Sequence, residues 1–389
     1  MDLPIDPHSL RPHYRAFLRE GRVLLTGHSH QAWPDVAREG MLAAFDAAAE
    51  HVDDKWGAAF AAADAVREGV ASRLGTRARD VALGASTHDL VVRLLSALPL
   101  DKKRHIVTTS GEFHTLHRQL SRLAEEGVEV DFVEPFPLTT LAERLAAKVR
   151  YDTAALFVST VLFESSSVVP NLASAVAAAR AKGAEVVLDA YHHFMVRPFR
   201  AADFGDVFVL GGGYKYAQWG EGVCFMTVPE GCELRPVVTG WFSDFAHLSA
   251  PRDGAKVTYG PSLAERFAGS TYDPTSHFRA AAVLRFFDEQ GLTVARLSES
   301  YTRQTERIGD ALRDHGHDVV TPKGADARGG FVAVRVANPD EVIALSRRDG
   351  VMFDARGSIV RLGPAPYVTD EELDRGVSVF VSHARQAGR

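Results

Sequence analysis

The sequence predicts an α/β fold, in which a large, mixed but mostly parallel sheet is doubly wound by helices and is followed by a small α+β domain. Strands and helices alternate from residue 81 to residue 228, as in a parallel sheet with right-handed crossovers. Residues 154–161 are almost continuously apolar, which is typical of a central strand covered on both faces. From about residue 278, long helices alternate with short strands, which indicates a second, smaller unit.

The chain length favours more than one domain. Because 389 residues exceed one typical core, we divide the chain into an N-terminal arm (1–30), a large domain (31–265) and a small C-terminal domain (266–389). We expect the arm to contribute both to the small domain and to the active site.

Composition excludes several classes of protein. Hydrophobic residues make up 46% of the chain and charged residues 24%, which is ordinary for a globular protein. The net charge of −6 without a basic block argues against nucleic acid as a partner. No apolar run has membrane-spanning length, no signal-peptide pattern begins the chain, and two cysteines are too few for a disulfide framework. We therefore expect a cytoplasmic protein.

Hydrophobic periodicity predicts the elements in order. Predicted helices occupy residues 10–19, 35–49, 55–73, 86–98, 138–149, 172–182, 277–290, 292–315, 339–349 and 370–387, the last with Thr369 as its N-cap. A further predicted helix starts within residues 111–118. Predicted strands begin at residue 23 and cover residues 81–85, 104–110, 128–133, 154–161, 185–189, 207–210, 223–228, 330–336 and 359–362. Residues 240–245 are predicted to form a loop.

The most informative stretch is residues 208–222, in which an apolar strand leads into three glycines and then into Tyr214, Lys215 and Tyr216. Burial in such a turn lowers the pKa of a lysine and frees its amine as a nucleophile. A lysine that forms a Schiff base with pyridoxal phosphate (PLP) needs this setting. A solvated lysine in a glycine-rich turn is the alternative that this stretch alone leaves open.

An aspartate upstream favours the first interpretation. Asp189 ends the predicted strand that precedes the strand leading to Lys215, so both side chains are expected at the same carboxyl edge of a parallel sheet, where ligands bind. PLP chemistry needs a carboxylate against the pyridine nitrogen so that the protonated ring can act as an electron sink.

Four motifs, taken in order, resemble kynureninases: Asp189 with His192, the segment 214–216 around Lys215, the segment 240–242 with Trp241, and the segment 361–367 that begins with Arg361. Kynureninases belong to the class V aminotransferase group of fold-type I PLP enzymes. The resemblance runs in register from about residue 20 to residue 385. It implies the fold-type I PLP-dependent transferase fold, PLP as cofactor, and an enzyme that acts on an L-amino acid.

The resemblance also assigns residues to the site. At a helix start, free N–H groups and hydroxyls bind a phosphate, as Ser86 and Thr87 would. The cofactor-binding residues that the resemblance implies are Ser86, Thr87, Phe113, Ser159, Asp189, His192, Tyr214, Lys215, Trp241 and Ser270 or Thr271. Because the segment of Ser270 and Thr271 reaches a neighbouring subunit's phosphate in class V enzymes, a homodimer with sites at the subunit interface is expected.

Catalysis is assigned to Lys215, Asp189 and Arg361, and no metal is expected. In fold-type I enzymes an arginine at the position of Arg361 binds the substrate α-carboxylate through a bidentate fork. A surface arginine on a strand is the alternative. His28 and His30 lie in a loop that enters the site in kynureninases, and they are further candidates for substrate binding. Polar loop side chains without a ligand, or a metal pair, are the alternatives for these two histidines.

Two departures bear on the reaction. Kynureninases have an aspartate three residues after the stacking phenylalanine, where this chain has Leu116, and the segment 53–57 shows no match to their substrate-contacting histidine. The resemblance favours hydrolytic Cβ–Cγ cleavage of a kynurenine-like amino acid, as in tryptophan catabolism. The alternatives are another class V reaction (transamination, β-elimination or decarboxylation) and, last, a non-catalytic scaffold. Cysteine desulfuration is disfavoured, because no cysteine follows Cys232 and Cys224 lies in an apolar run.

Overall fold

The structure is a computed structural model that describes residues 4–250 and 256–387. Residues 1–3 of the predicted arm, 251–255 of the predicted large domain and 388–389 of the predicted small domain lie outside the described residues. No helix in the described ranges is long and apolar enough to cross a membrane.

Apart from α1 and α8, the helices follow the predicted order with small shifts at their ends. They are α1 (Pro7–Leu10), α2 (Val36–His51), α3 (Trp56–Leu74), α4 (Thr87–Ala97), α5 (His114–Glu125), α6 (Leu141–Lys148), α7 (Leu172–Ala181), α8 (Leu263–Arg266), α9 (Thr275–Glu289), α10 (Val294–Asp314), α11 (Pro339–Arg348) and α12 (Asp370–Ala387).

The strands are short, as is usual for α/β proteins. They are β1 (Val23–Leu24), β2 (Val81–Gly84), β3 (His105–Thr109), β4 (Glu129–Val133), β5 (Thr153–Ser159), β6 (Glu185–Asp189), β7 (Phe208–Gly212), β8 (Cys224–Thr227), β9 (Asp318–Val319), β10 (Val332–Arg335), β11 (Val351–Met352), β12 (Asp354–Arg356) and β13 (Ile359–Leu362).

Seven strands form the large sheet in the order β2-β8-β7-β6-β5-β3-β4. All neighbours from β7 to β4 are parallel, whereas β8 is antiparallel to both β2 and β7. The predicted mixed, mostly parallel sheet is confirmed. Ser159 pairs with Asp189, and Asp189 pairs with Leu210, so β5, β6 and β7 end at one edge of the sheet.

The sequence of β5 is almost continuously apolar because both of its faces pack against hydrophobic side chains. All seven of its residues are buried. Successive side chains of a strand point to opposite faces, and Leu156 and Val158 accordingly belong to one apolar cluster while Ala155 and Phe157 belong to the other. Helices α6 and α7 contribute to the first cluster, and α4 and α5 contribute to the second.

The C-terminal part contains an antiparallel sheet in the order β12-β13-β10-β9. The N-terminal segment joins this part of the molecule, because β1 pairs in parallel with β11 and Thr26 forms a bridge with Gly363. Helix α9 packs against α2 and α3. The division of the chain at residues 30 and 265 stays a prediction.

The predicted helix at residues 10–19 is wrong. Asp6 caps α1 by accepting a hydrogen bond from the N–H of His8 (3.0 Å), and the helix ends at Leu10. A short 3-10 turn over Arg11–His13 follows. Pro12 has no N–H to donate, so it cannot continue the α-helical ladder.

Residues 240–245 were predicted as a loop. Gly240 precedes an irregular 3-10 segment, Trp241–His247, which contains the rest of this stretch. Strands β9, β11 and β12 have only two or three residues each, too few to show a period in the sequence.

Candidate active site

A cavity of about 280 Å³ lies at the carboxyl edge of the large sheet. Eight of the residues that the sequence assigns to the cofactor line it, and they come from the ends of different elements: Ser86, Thr87, Phe113, Ser159, Asp189, His192, Tyr214 and Lys215. The parallel strands thus bring together residues that are as far apart in the sequence as Ser86 and Lys215.

The turn that carries Lys215 depends on close contacts at two glycines. A Cβ atom at Gly213 would lie 2.4 Å from the ring of Trp219, and one at Gly212 would lie 2.3 Å from Oη of Tyr191. Trp219 is fully buried, and its backbone N–H donates to the carbonyl of Gly213 (2.9 Å). This packing closes the turn and holds Lys215 inward.

Lys215 is buried among aromatic rings. Its Nζ lies 2.8 Å from Nε2 of His192 and 4.5 Å from the ring centroid of Tyr191. Burial lowers the pKa of Lys215 to about 7, against the opposing effect of the Asp189 carboxylate. The depressed pKa that the sequence predicts is thereby confirmed, and much of the amine is uncharged near neutral pH. Burial, followed by the charge of Lys215, also lowers the pKa of His192 well below its ordinary value.

Asp189 lies in the same cavity. Its Oδ1 accepts a hydrogen bond from the N–H of Tyr191 (2.8 Å). Within residues 4–250 and 256–387, no donor is bonded to Oδ2. Burial raises the pKa of Asp189, and the hydrogen bond from Tyr191 and the charge of Lys215 oppose this effect. The carboxylate therefore gains from a cationic N–H partner placed at Oδ2.

Helix α4 begins at the wall of the same cavity, which Ser86 and Thr87 line. Ser86 is its N-cap, and the hydroxyl of Ser86 accepts a hydrogen bond from the N–H of Asp89 (3.1 Å). A hydroxyl that accepts can still donate its own proton. The first amides of a helix have no intrahelical acceptor, and together with the helix dipole they favour an anion. Capping and phosphate binding are therefore compatible at Ser86.

Glu112 is a buried carboxyl group that sequence reasoning missed. It accepts hydrogen bonds from the hydroxyl and N–H of Ser159 (2.6 and 3.1 Å) and from the hydroxyl of Thr109 (2.6 Å). Burial raises the pKa of Glu112 to about 7, although these hydrogen bonds lower it. Its position directly before Phe113, at the end of a predicted strand, is the signal that could have drawn attention to it.

Arg361 is buried beside the cavity rather than in its lining. Its Nη1 donates to the carbonyl of Phe163 (2.9 Å), and Phe163 does line the cavity. The guanidinium also forms a two-point contact with Asp354, with Nε to Oδ1 at 2.9 Å and Nη2 to Oδ2 at 2.6 Å. His28 is fully buried on the other side of this carboxylate, with Nε2 at 2.7 Å from Oδ1 of Asp354. Sequence reasoning missed Asp354.

The remaining predicted residues lie outside the 280 Å³ cavity. Ser270 and Thr271 line a larger cleft of about 1050 Å³, which shares Glu221 and Gly222 with that cavity. Nε1 of Trp241 donates to Oγ1 of Thr271 (3.1 Å). His30 is exposed, with its ring 5.2 Å from that of Tyr214 and its Nε2 3.1 Å from Oε1 of Glu221. The structure therefore places these residues at the periphery.

Cys224 is one of the two cysteines in the chain, and it lies near Lys215. Cys224 is buried at the cavity wall, and burial raises the pKa of its thiol to about 12. A thiol with such a pKa is a poor nucleophile at neutral pH. Among the described residues, no group of three or more His, Cys, Asp or Glu side chains forms a metal site.

Comparisons of sequence agree with this geometry. The family model of the kynureninase C-terminal domain matches residues 295–380, the segment that contains Asp354 and Arg361. The uncharacterised aminotransferase YcbU of Bacillus subtilis is 25% identical over 328 residues, covering 83% of this chain and 84% of the relative. A kynureninase of Deinococcus radiodurans is 26% identical over 334 residues, covering 81% and 76%. In sequence, the chain is therefore similar to kynureninases and to other PLP-dependent enzymes of the class V group.

Solved structures show the same fold at lower sequence identity. The cysteine desulfurase of Thermococcus onnurineus aligns with a TM-score of 0.83 and 19% identity over 99% of both chains. A mutant of the lyase C-DES with glycine covalently linked to its PLP cofactor aligns with a TM-score of 0.83 and 16% identity, covering 96% of this chain and 99% of that one. The predicted fold-type I architecture is thereby confirmed.

The residues present fit PLP. The cavity presents a buried amine at Lys215, a carboxylate oxygen of Asp189 to which none of the described residues donates, and the amino end of α4. These groups match the aldehyde, the pyridine nitrogen and the phosphate of the cofactor in charge and hydrogen-bonding character. The aromatic ring of Phe113 lines the same cavity, as the resemblance predicts for a stacking residue.

The depressed pKa of Lys215 predicts the pH dependence of cofactor capture. Only the uncharged amine reacts with an aldehyde, so the rate at which the apoenzyme takes up PLP covalently should rise with pH through about 7 and level off by about pH 8. Stopped-flow absorbance would measure this rate, with Nα-acetyl-lysine as the unburied reference. A midpoint close to that of the reference amine would contradict the buried, perturbed lysine.

Proposed function

We propose that this class V enzyme cleaves the Cβ–Cγ bond of a kynurenine-like L-amino acid by hydrolysis. One water is added, so that L-kynurenine yields L-alanine and anthranilate. The observation that carries the proposal is the buried Lys215 amine facing Asp189 in one cavity, in a chain whose C-terminal segment matches the kynureninase model.

The residues that line the cavity would each hold a different part of the cofactor. When bound, PLP supplies a ring that withdraws electrons from the substrate α-carbon. Asp189 would hold the pyridine nitrogen through Oδ2, and its negative charge would keep that nitrogen protonated. Ser86, Thr87 and, by resemblance, Tyr214 would hold the phosphate, and Phe113 would pack against the ring. Ser159, held by Glu112, lies beside Asp189 in register and completes this side of the cavity.

Lys215 and Arg361 would act on the substrate. The uncharged Nζ of Lys215 can accept the proton from the substrate α-carbon, since its pKa of about 7 lies near neutral pH. His192, held at 2.8 Å from Nζ, orients the amine between proton transfers. Arg361 would hold the α-carboxylate at the wall formed by Phe163.

A homodimer is part of the proposal. Leu42 and Phe45 are 53% and 71% exposed on α2, and we propose that these two apolar side chains belong to the subunit interface. The peripheral positions of Ser270, Thr271 and Trp241 suit residues that complete a neighbouring subunit's site. A purely monomeric state in sedimentation equilibrium, with the enzyme active, would contradict this part.

A second candidate function is transamination of a different amino acid. Leu116, at the position where kynureninases have a polar aspartate, is buried in the apolar cluster between the large sheet and α4 and α5. It offers no polar contact to a substrate. The similarity to YcbU, which is named an aminotransferase, supports the same candidate.

One assay separates the candidates. The PLP-loaded enzyme is incubated with L-kynurenine, and anthranilate is followed by fluorescence while alanine is quantified. Equal amounts of both products, absent with Lys215→Ala, would support the proposal. A change in the visible spectrum without alanine release, together with 2-oxo acid formation from another amino acid, would move the function to transamination. A protein that takes up no PLP would overturn both.

A further inference from the structure

A buried ion pair lies directly behind the residue that would bind the substrate carboxylate. Asp354 and Arg361 face each other across β12 and β13, where they form a register pair. The side chain of Arg361 is 3% exposed, and that of Asp354 is 22% exposed. Burial alone raises the pKa of Asp354, but the hydrogen bonds and charges of His28 and Arg361 outweigh it and hold the pKa well below its usual value. Asp354 is therefore a carboxylate at neutral pH.

His28 holds the same carboxylate from a distant part of the chain. Burial lowers the pKa of His28 to about 4, despite its hydrogen bond with Asp354, so the ring is neutral. A neutral ring that faces a carboxylate through Nε2 donates its N–H there. Gly363 fixes the ring, because a Cβ atom at Gly363 would lie 2.3 Å from Nδ1 of His28. Phe331 packs beside it, with 4.8 Å between ring centroids.

Some N–H groups of the Arg361 guanidinium have no hydrogen-bond partner among the described residues. A guanidinium carries five N–H groups. Nε and Nη2 each donate one to Asp354, and Nη1 donates one to the carbonyl of Phe163. Among the described residues, no further acceptor is bonded to this guanidinium, so one N–H remains on each terminal nitrogen. Two N–H groups on neighbouring nitrogens form the fork that binds a carboxylate at two points.

We propose that Asp354 and His28 are positioning residues, which orient Arg361 so that its two remaining N–H groups grip the substrate α-carboxylate. His28 thus acts through Asp354 and does not touch the substrate. Because Asp354 already neutralises Arg361, the site recognises the carboxylate by the geometry of its hydrogen bonds more than by net charge. The inference rests on the proposed function, since it needs an amino acid bound beside Lys215.

The test compares two probes that differ only in the carboxylate. L-alanine and ethylamine are titrated into the PLP-loaded enzyme, and binding is followed by the visible spectrum of the cofactor. In Asp354→Asn we expect the affinity for L-alanine to fall by roughly tenfold or more, because a charge-assisted two-point contact behind the fork is lost. The affinity for ethylamine should change by less than about twofold, since it does not use Arg361. His28→Leu should show the same selectivity with a smaller loss, and His28→Gln, which keeps an N–H donor, should recover part of it.

Asp318→Asn is the matched control, because Asp318 pairs with exposed Arg335 at the other edge of the same sheet. It should leave both affinities unchanged. An equal loss of both probes in Asp354→Asn would show a merely structural role, and an unchanged preference for L-alanine would also overturn the inference. If neither probe alters the wild-type spectrum, the proposed function fails, and the inference fails with it.

Discussion

Lys215→Ala is expected to abolish covalent attachment of PLP and to lower turnover by at least roughly a thousandfold, because Lys215 is the one lysine among the described residues that line the cavity, and it would both form the bond and move the proton. Treatment of the wild-type holoenzyme with borohydride should fix one pyridoxyl group on the peptide that contains Lys215. Mass spectrometry of the digested protein would identify that peptide. In the variant the same treatment should leave every peptide unmodified.

The folded state of this variant should survive. Lys215 is a desolvated amine whose pKa is depressed by burial, so its removal relieves a charge that the interior disfavours. Lys148→Ala is the matched control, since Lys148 is exposed and forms only a surface pair with Asp131. Borohydride labelling that persists in Lys215→Ala, with normal turnover, would mean that another lysine carries the cofactor.

Asp189→Asn is expected to lower turnover by about a hundredfold to a thousandfold while the protein still binds PLP, since the amide cannot keep the pyridine nitrogen protonated and one preorganised electrostatic contact is lost. The visible spectrum should change with it, because the protonation state of the ring changes. Steady-state kinetics and absorbance spectra of the two holoenzymes would measure both effects.

In contrast to its turnover, the thermal stability of the Asp189→Asn apoenzyme should be equal to or higher than that of the wild type. Burial raises the pKa of Asp189, so its folded-state ionisation is unfavourable. That penalty is absent at acidic pH, where the carboxyl is protonated in both states, and it is fully present once the pH exceeds the raised pKa. At neutral pH the asparagine variant should therefore melt at an equal or higher temperature than the wild type. Asp206→Asn, on the exposed connector before β7, serves as the control. Normal turnover in Asp189→Asn would remove Asp189 from the proposed mechanism.

The sequence predicted the part of the site that follows from strand order. Asp189 and Lys215 could be assigned because parallel neighbouring strands must end at the same edge, whichever side chains surround them. Local rules alone predicted Ser86 as a helix N-cap, because a hydroxyl residue before an amphipathic helix caps it. Its assignment to the phosphate came from the resemblance to kynureninases.

Other features could not be predicted because they depend on contacts between distant residues. His28 and Asp354 are 326 positions apart. The pairing of β1 with β11 and the bridge between Thr26 and Gly363 bring the N-terminal segment to the C-terminal part of the molecule. Glu112 could be recognised as a buried partner of Ser159 only when β3 and β5 were seen side by side. The sequence also suggested that His28 could bind substrate, whereas its fully buried ring faces Asp354.

By itself, the sequence determined the fold class, because the order of strands and helices encodes it, and together with the resemblance to kynureninases it predicted PLP as cofactor and assigned Lys215 and Asp189 to it. Only the tertiary structure decided how strongly burial lowers the pKa of Lys215 and which N–H groups of Arg361 are bonded to Asp354 and Phe163. The physical reason is that desolvation and hydrogen-bond accounting depend on every neighbour in space, and most of those neighbours are remote in the chain.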